Sequence, residues 1–177
     1  MLDLQISQHR VDELSADARS ELIQLCSAAY EADFSRIFDV LPDTTHLFGR
    51  RDGVLVAHVA WVTRWLQPAG LPILQTAYIE AVATAPAHQG RGYASLLLRE
   101  AAKRFHAYDL GALSPSEEGF YARLGWELWR GPLAIRTATG LIETPADEQV
   151  MILRLPRTPS LDLSALLTAE WRRGALW

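Results

Sequence analysis

The 177-residue chain predicts an α/β domain, a mixed and mostly antiparallel sheet with helices on both faces. Three observations carry that expectation. Short apolar runs bounded by turn residues recur along the chain, an Asp-Gly pair joins two of them, and a glycine-rich loop separates a long run from a leucine-rich helix. Apolar residues make up 49% and charged residues 21% of the chain, which suits one globular domain over residues 1–177. No repeat, low-complexity segment or linker divides it.

Leu2, Leu4 and Ile6 alternate with polar residues and predict a first strand. Ser15 can cap a helix to about Tyr30, with Leu22, Leu25 and Ala29 on one face. Residues 31–44 lack a clean period and read as a loop with a helical turn or two. His46 to Gly49 and Val54 to Ala57 flank Arg51-Asp52-Gly53, a hairpin signal, and the second arm continues towards Trp65. After Pro68, Gly70 and Pro72, another long strand runs from Ile73 to about Ala83. The glycine loop leads into a helix from about Gly92 to Ala107, with Leu97, Ala101 and Phe105 on one face. Leu110 to Ser114 is a short buried strand. Ser114-Pro115-Ser116-Glu117 then offers an N-cap, a first-turn proline and a capping-box glutamate for a helix ending at Gly125. Trp126 to Trp129 and Val150 to Leu155 read as closing strands, with an unassigned arm from Pro132 to Gln149. Ser160 or Asp162 caps a last helix bearing Leu163, Leu166, Leu167 and Trp171.

The formal charge of −4 argues against nucleic acid as a partner and suits a cationic ligand if the acids line a cleft. No apolar run approaches the ~20 residues that cross a bilayer. Met1-Leu2-Asp3 does not open like a signal peptide, and Cys26 is the single cysteine, so the expected setting is a reducing cytoplasm. Cys26 reads as a buried small residue rather than a nucleophile. The five histidines are dispersed, so no metal site is expected. Six tryptophans suit either a homodimer or burial within the chain.

Gln89-Gly90-Arg91-Gly92-Tyr93-Ala94 sits between a strand and a helix. Such a loop can point several backbone N–H groups at one spot, at the positive end of the helix dipole. It reads as an ordinary left-handed turn or as an anion cradle. The dinucleotide fingerprint would need glycine or alanine where Ser95 stands, so a nicotinamide or flavin is disfavoured.

Val82, Pro86 and Gln89 to Ala94 resemble the acetyl-coenzyme A motif of the GNAT superfamily of N-acetyltransferases, and Gly119 to Trp126 resembles its second signature. Within that superfamily, Tyr78 to Ala83, Leu110 to Ser114, Phe120 to Trp126, Trp129 to Pro132 and Glu170 to Trp177 are similar to aminoglycoside 2′-N-acetyltransferases. The resemblance implies acetyl-CoA as cosubstrate, held by Val82, Thr84, Gln89, Gly90, Arg91, Gly92, Tyr93 and Ala94. It implies Glu80 as general base, Tyr121 as general acid and the Val82 amide as oxyanion donor. Glu80 is unusual by itself, a carboxylate inside an apolar strand; the alternative is an acid on an exposed face.

The resemblance also implies that a polycationic small-molecule amine would meet Asp33, Asp39, Glu80, Ala81, Ser114, Asp147 and the carboxylate of Trp177. Two departures stand out: Ala175 replaces a family acid, and Phe38 falls where a pocket aspartate is expected, with Asp39 one residue away. An aminoglycoside acetyltransferase, an acetyltransferase for another small amine or peptide terminus, and a noncatalytic acyl-CoA binding module are the three readings.

Overall fold

A computed structural model describes residues 3–36 and 43–177. Phe38 and Asp39 lie outside the described residues. The order of strands and α-helices is β1 (Gln5–Arg10), α1 (Ala16–Tyr30), β2 (Thr45–Arg51), β3 (Val54–Pro68), β4 (Leu74–Thr84), α2 (Tyr93–Ala102), β5 (Leu110–Leu113), α3 (Glu118–Ala122), β6 (Glu127–Leu128), β7 (Leu133–Thr137), β8 (Gly140–Glu143), β9 (Met151–Arg154) and β10 (Leu167–Glu170). The fold is α/β with mixed, mostly antiparallel strand pairing. No helix among the described residues is long and apolar enough to cross a membrane.

Contacts divide the chain into two compact units, residues 1–62 with 79–103 and residues 63–78 with 104–177. In the first, β1 pairs with β2 and β2 with β3, both antiparallel. Asp52 and Gly53 make the predicted hairpin turn at φ 50° and 80°, the left-handed pair that matches strand twist. Ser15 caps α1 by accepting the Ala18 amide at 3.2 Å, as its sequence position predicts. Leu22, Leu25 and Cys26 of that helix pack with Leu14, Phe48, Leu55 and Ala83. Gly49 of β2 lies close under the Leu4 side chain, where an added Cβ would stand 2.7 Å from Leu4 Cδ2 and 3.4 Å from Leu97 Cδ1.

In the second unit the strand order is β6-β9-β5-β4-β3-β10-β7-β8. β5 and β6 pair antiparallel with β9, β7 pairs antiparallel with β8, and β10 runs parallel to β7. Thus the unassigned arm from Pro132 to Gln149 is largely a hairpin. Gly131 lies against the carbonyl of Ala165, where an added Cβ would stand 1.9 Å away.

Three sequence expectations are corrected. The helix expected after Ser160 or Asp162 is absent: Asp162 accepts the Ser164 amide and hydroxyl at 2.9 and 2.6 Å in a local turn. Leu167 to Glu170 instead form β10, because pairing with β3 and β7 outweighs an isolated leucine period. The glycine-loop helix stops at Ala102, and Phe105–Ala107 form a separate 3₁₀ turn. The capping box at Ser114 is not formed. α3 starts at Glu118 after an N-cap Glu117 that makes no side-chain cap, and the Ser114 hydroxyl donates elsewhere. Gly125 does take the left-handed conformation, at φ 90°.

Inside the first unit, His46 Nδ1 and His58 Nε2 stand 3.0 Å apart, with both residues buried. One ring must donate and the other accept, so at least the accepting ring is neutral. Burial, reinforced by the charges of His9 and Arg19, lowers the His46 pKa from 6.5 to about 4, and burial holds His58 well below its ordinary value. The unfolded chain takes up protons below pH 6.5 whereas the folded chain resists them until about pH 4 for His46, so this contribution to stability is present above 6.5 and lost as pH falls through that window. The expected loss from His46 alone is roughly 3 kcal/mol. Urea midpoints measured across the window should decline with decreasing pH, and a flat profile would contradict neutral packed rings.

Candidate active site

β4 places its side chains alternately. Ile79, Ala81 and Ala83 are buried, while Glu80, Val82 and Thr84 are half-buried on the other face. Glu80 therefore stands on the same face as Val82 and Thr84, immediately ahead of the glycine loop. Ala81 turns its methyl into the core, which leaves only its main chain for a ligand.

Past Thr84 the chain makes a 3₁₀ turn over Pro86–His88 and then takes left-handed conformations at Gly90 and Gly92, with φ of 72° and 80°. A Cβ on Gly90 would meet nothing within 4 Å. Glycine is thus required by the backbone torsion, and the space beside it is open. Gly92 is the N-cap of α2 and supplies no side-chain acceptor, so the first-turn amides retain their capacity for an anion. Gln89 Nε2 donates to the Thr84 carbonyl at 3.3 Å and Arg91 Nη2 to the Ala87 carbonyl at 3.2 Å. These bonds fold the loop on itself and leave Arg91 exposed beside it. Thr84 Oγ1 and His88 Nδ1 are buried and find no partner among the described residues. Tyr93 packs its ring in the core at 4% exposure, which leaves its main chain, and not its side chain, to face a ligand at the start of α2. The residues present fit an anionic ligand that also offers hydrogen-bonding groups to the strand.

The Val82 N–H donates to the Tyr30 hydroxyl at 2.9 Å, and that hydroxyl donates to the Val82 carbonyl at 2.9 Å. Sequence reasoning did not find Tyr30; nothing in a helix C-terminal tyrosine signals where its hydroxyl will land. Asp33 is exposed, and its carboxylate accepts the Ser35 amide at 2.8 Å, which lowers its pKa.

The second unit holds the remaining candidates. Tyr121 is buried on α3, edge-to-face with Phe120 and Trp126 at 5.0 and 6.3 Å. Burial raises its pKa, opposed by a hydrogen bond with Ser116, so it stays protonated at neutral pH, as a proton donor must. The Ser114 hydroxyl donates to Glu148 Oε1 at 2.9 Å, whereas Asp147 is exposed in the turn before it. Trp177 is 6% exposed, and its indole N–H donates to Thr144 Oγ1 at 2.8 Å. Thr144 and Glu148 line one cavity of about 500 Å³, with Glu143 and an apolar floor that includes Leu133, Leu141 and Leu166. Ser114 and Trp177 are thereby each tied to a wall of the same cavity. Glu143, Thr144 and Glu148 were missed because the arm carrying them showed no period. Among the described residues no group of three or more potential metal ligands gathers.

The chain matches the acetyltransferase (GNAT) domain family over residues 10–129. It belongs to that family. Membership makes this GNAT chain an acyltransferase by class. Aminoglycoside 2′-N-acetyltransferase of Mycolicibacterium fortuitum is 33% identical over 172 residues, covering 93% of this chain and 88% of the relative. Among solved structures, the GNAT family N-acetyltransferase YhbS from Escherichia coli, in complex with CoA, has a TM-score of 0.64 at 18% identity over 97% of this chain and 92% of its own. Eis1 from Mycobacterium abscessus has a TM-score of 0.59 at 16% identity over 73% of this chain, which spans only 33% of Eis1. The two structures share the GNAT fold with this chain.

A buried guanidinium fastens the C-terminal segment of this GNAT chain. Arg64, 1% exposed, donates from Nη1 to the Leu176 carbonyl at 2.7 Å, from Nε to Glu170 Oε1 at 3.0 Å and from Nη2 to the Glu170 carbonyl at 3.0 Å. It also lies over the Tyr78 ring at 5.1 Å. Arg64→Met removes all three bonds and is expected to destabilise the chain by about 3 kcal/mol. Limited proteolysis should then cut within residues 171–177 faster than in the wild type; an unchanged rate would show that Arg64 does not hold the segment.

Proposed function

We propose that this chain transfers an acetyl group from acetyl-CoA to a primary amine, and that the amine is the 2′-amino group of an aminoglycoside. The observation that carries the reading is the left-handed Gly90 and Gly92 leading into the first turn of α2, which no side chain caps, with Glu80 on the Val82 face of β4 just ahead of them. Similarity to the Mycolicibacterium fortuitum enzyme supports the choice of amine. The two carboxylates lining the second-unit cavity, Glu143 and Glu148, support a cationic acceptor.

When bound, acetyl-CoA would supply the activated acyl group. The first-turn amides of α2 and Arg91 would hold its diphosphate, and Thr84 Oγ1 offers one more polar contact. Glu80 takes a proton from the substrate ammonium, directly or through water, which leaves a lone pair to attack the acyl carbon. The Val82 N–H donates to the oxygen on which charge develops. Carbon–nitrogen bond formation is followed by carbon–sulfur cleavage, and Tyr121 gives its proton to the departing sulfur. The attacking nitrogen then gives up its second proton, which restores Tyr121, and Glu80 passes its proton to water; the acetylated amine and free thiol account for every atom, and no covalent enzyme intermediate is needed. Ser114, Asp33, Asp39, Asp147 and Trp177 belong to the acceptor side of the same proposal. So does a cytoplasmic homodimer, supported by the exposed Trp65 and Trp171.

Thiol release from acetyl-CoA, assayed against a panel of amines, is expected to require a 2′-amino group among aminoglycosides. Turnover confined to unrelated amines would select another acceptor, and no turnover with any amine would favour a binding module. Glu80→Gln should lower turnover and shift its pH dependence while calorimetry finds coenzyme A affinity retained; unaltered kinetics would remove Glu80 as base. Gly90→Val should weaken coenzyme A at least about tenfold, since a branched side chain at φ 72° strains the loop and enters the open space beside it. Equal affinity would tell against the cradle.

A further inference from the structure

The hydroxyl of Tyr30 satisfies both main-chain groups of a single strand residue. In an extended strand the N–H and C=O of one residue point to the same side, where a partner strand would take both. At Val82 one oxygen atom does this work, accepting the N–H and donating to the carbonyl, each at 2.9 Å. A hydroxyl is the smallest side-chain group that can do both. Tyr30 ends α1 beside Glu31, which takes the left-handed conformation at φ 53°. Its ring stacks on Phe34 at 4.9 Å and is 41% exposed. Leu22, Leu25 and Cys26 anchor the same helix in the core, so the Tyr30 side chain can leave Val82 by rotating into solvent while the helix stays in place.

We infer that the Tyr30 hydroxyl is an exchangeable plug on the Val82 main chain, displaced when the acyl carrier docks, and that it thereby sets the affinity for that carrier. This rests on the reading of Val82 as the amide that meets the thioester end of acetyl-CoA. A carrier bearing a carbonyl or an amide can engage Val82 only by taking a bond that Tyr30 holds. An intramolecular competitor of this kind reduces apparent affinity by the fraction of molecules in which the strand is unplugged.

Tyr30→Phe deletes the hydroxyl and keeps the ring that stacks on Phe34. Calorimetric titration with coenzyme A is expected to give a dissociation constant about two- to tenfold lower than for the wild type. The Michaelis constant for acetyl-CoA should fall in parallel, while that for the amine stays the same. In the ligand-free proteins the Val82 amide should exchange its hydrogen faster in Tyr30→Phe, and saturating coenzyme A should erase the difference. Equal affinity overturns the plug, and weaker affinity overturns it by showing that the hydroxyl helps to hold the carrier. If the wild type binds no coenzyme A in the same titration, the cofactor reading falls together with the plug; binding by wild type with no gain in the variant sinks the plug alone. Should Tyr30→Phe fail to fold, 3-fluorotyrosine at position 30 of the wild-type chain gives a second readout. Its fluorine resonance must move when coenzyme A is added, and a stationary resonance overturns the displacement.

Discussion

A buried peptide N–H without an acceptor costs free energy comparable to a lost hydrogen bond, so every extended strand must dispose of its main-chain groups. β4 does so in an unusual way at Val82, where a tyrosine hydroxyl and not a neighbouring strand takes the N–H and carbonyl. Two residues later the strand ends, and the left-handed glycines 90 and 92 turn the chain into a helix whose first-turn amides no side chain caps. Extended main chain held by a side-chain hydroxyl is thus followed by helical main chain that no side chain caps. The alternation of β4 then sets Glu80 on the same half-buried face that carries Val82 and Thr84.

The second unit solves a different problem, that of holding a C-terminal segment with little regular structure. The segment from Trp171 onward contains no strand or helix; its order comes from the buried Arg64 guanidinium, the Arg172 contact with the Ala175 carbonyl and the Trp177 indole on Thr144. A guanidinium can satisfy several carbonyls at fixed angles, which suits it to pinning an irregular chain. The same unit gathers Glu143, Thr144 and Glu148 around one cavity, two of them already bonded to residues that the sequence resemblance nominates for the acceptor, Ser114 and Trp177.

Local rules explain where the sequence was legible. Ser15 as a cap, Asp52-Gly53 as a hairpin turn and Gly125 as a left-handed stop each depend on a few adjacent residues, and each is found. The glycine loop was legible for the same reason, since its φ values and its missing cap are set within six residues. The expected last helix was not, because the leucine spacing from Leu163 to Leu167 is equally compatible with a strand that finds partners in β3 and β7. Ser114 was assigned to a cap because the four-residue pattern is a strong local signal, yet its hydroxyl pairs with Glu148, 34 residues away.

The sequence by itself determined the α/β class, the left-handed glycine turn before α2 and the position of Glu80 on the strand ahead of it, since these follow from periodicity, glycine torsions and alternation along one strand. Tertiary structure alone decided that Tyr30 covers Val82, that Glu148 meets Ser114, and that Arg64 fastens Glu170 and Leu176. Those contacts join residues 34 to 112 positions apart, and no spacing rule encodes a hydrogen bond whose two ends are brought together only by the packing of whole elements.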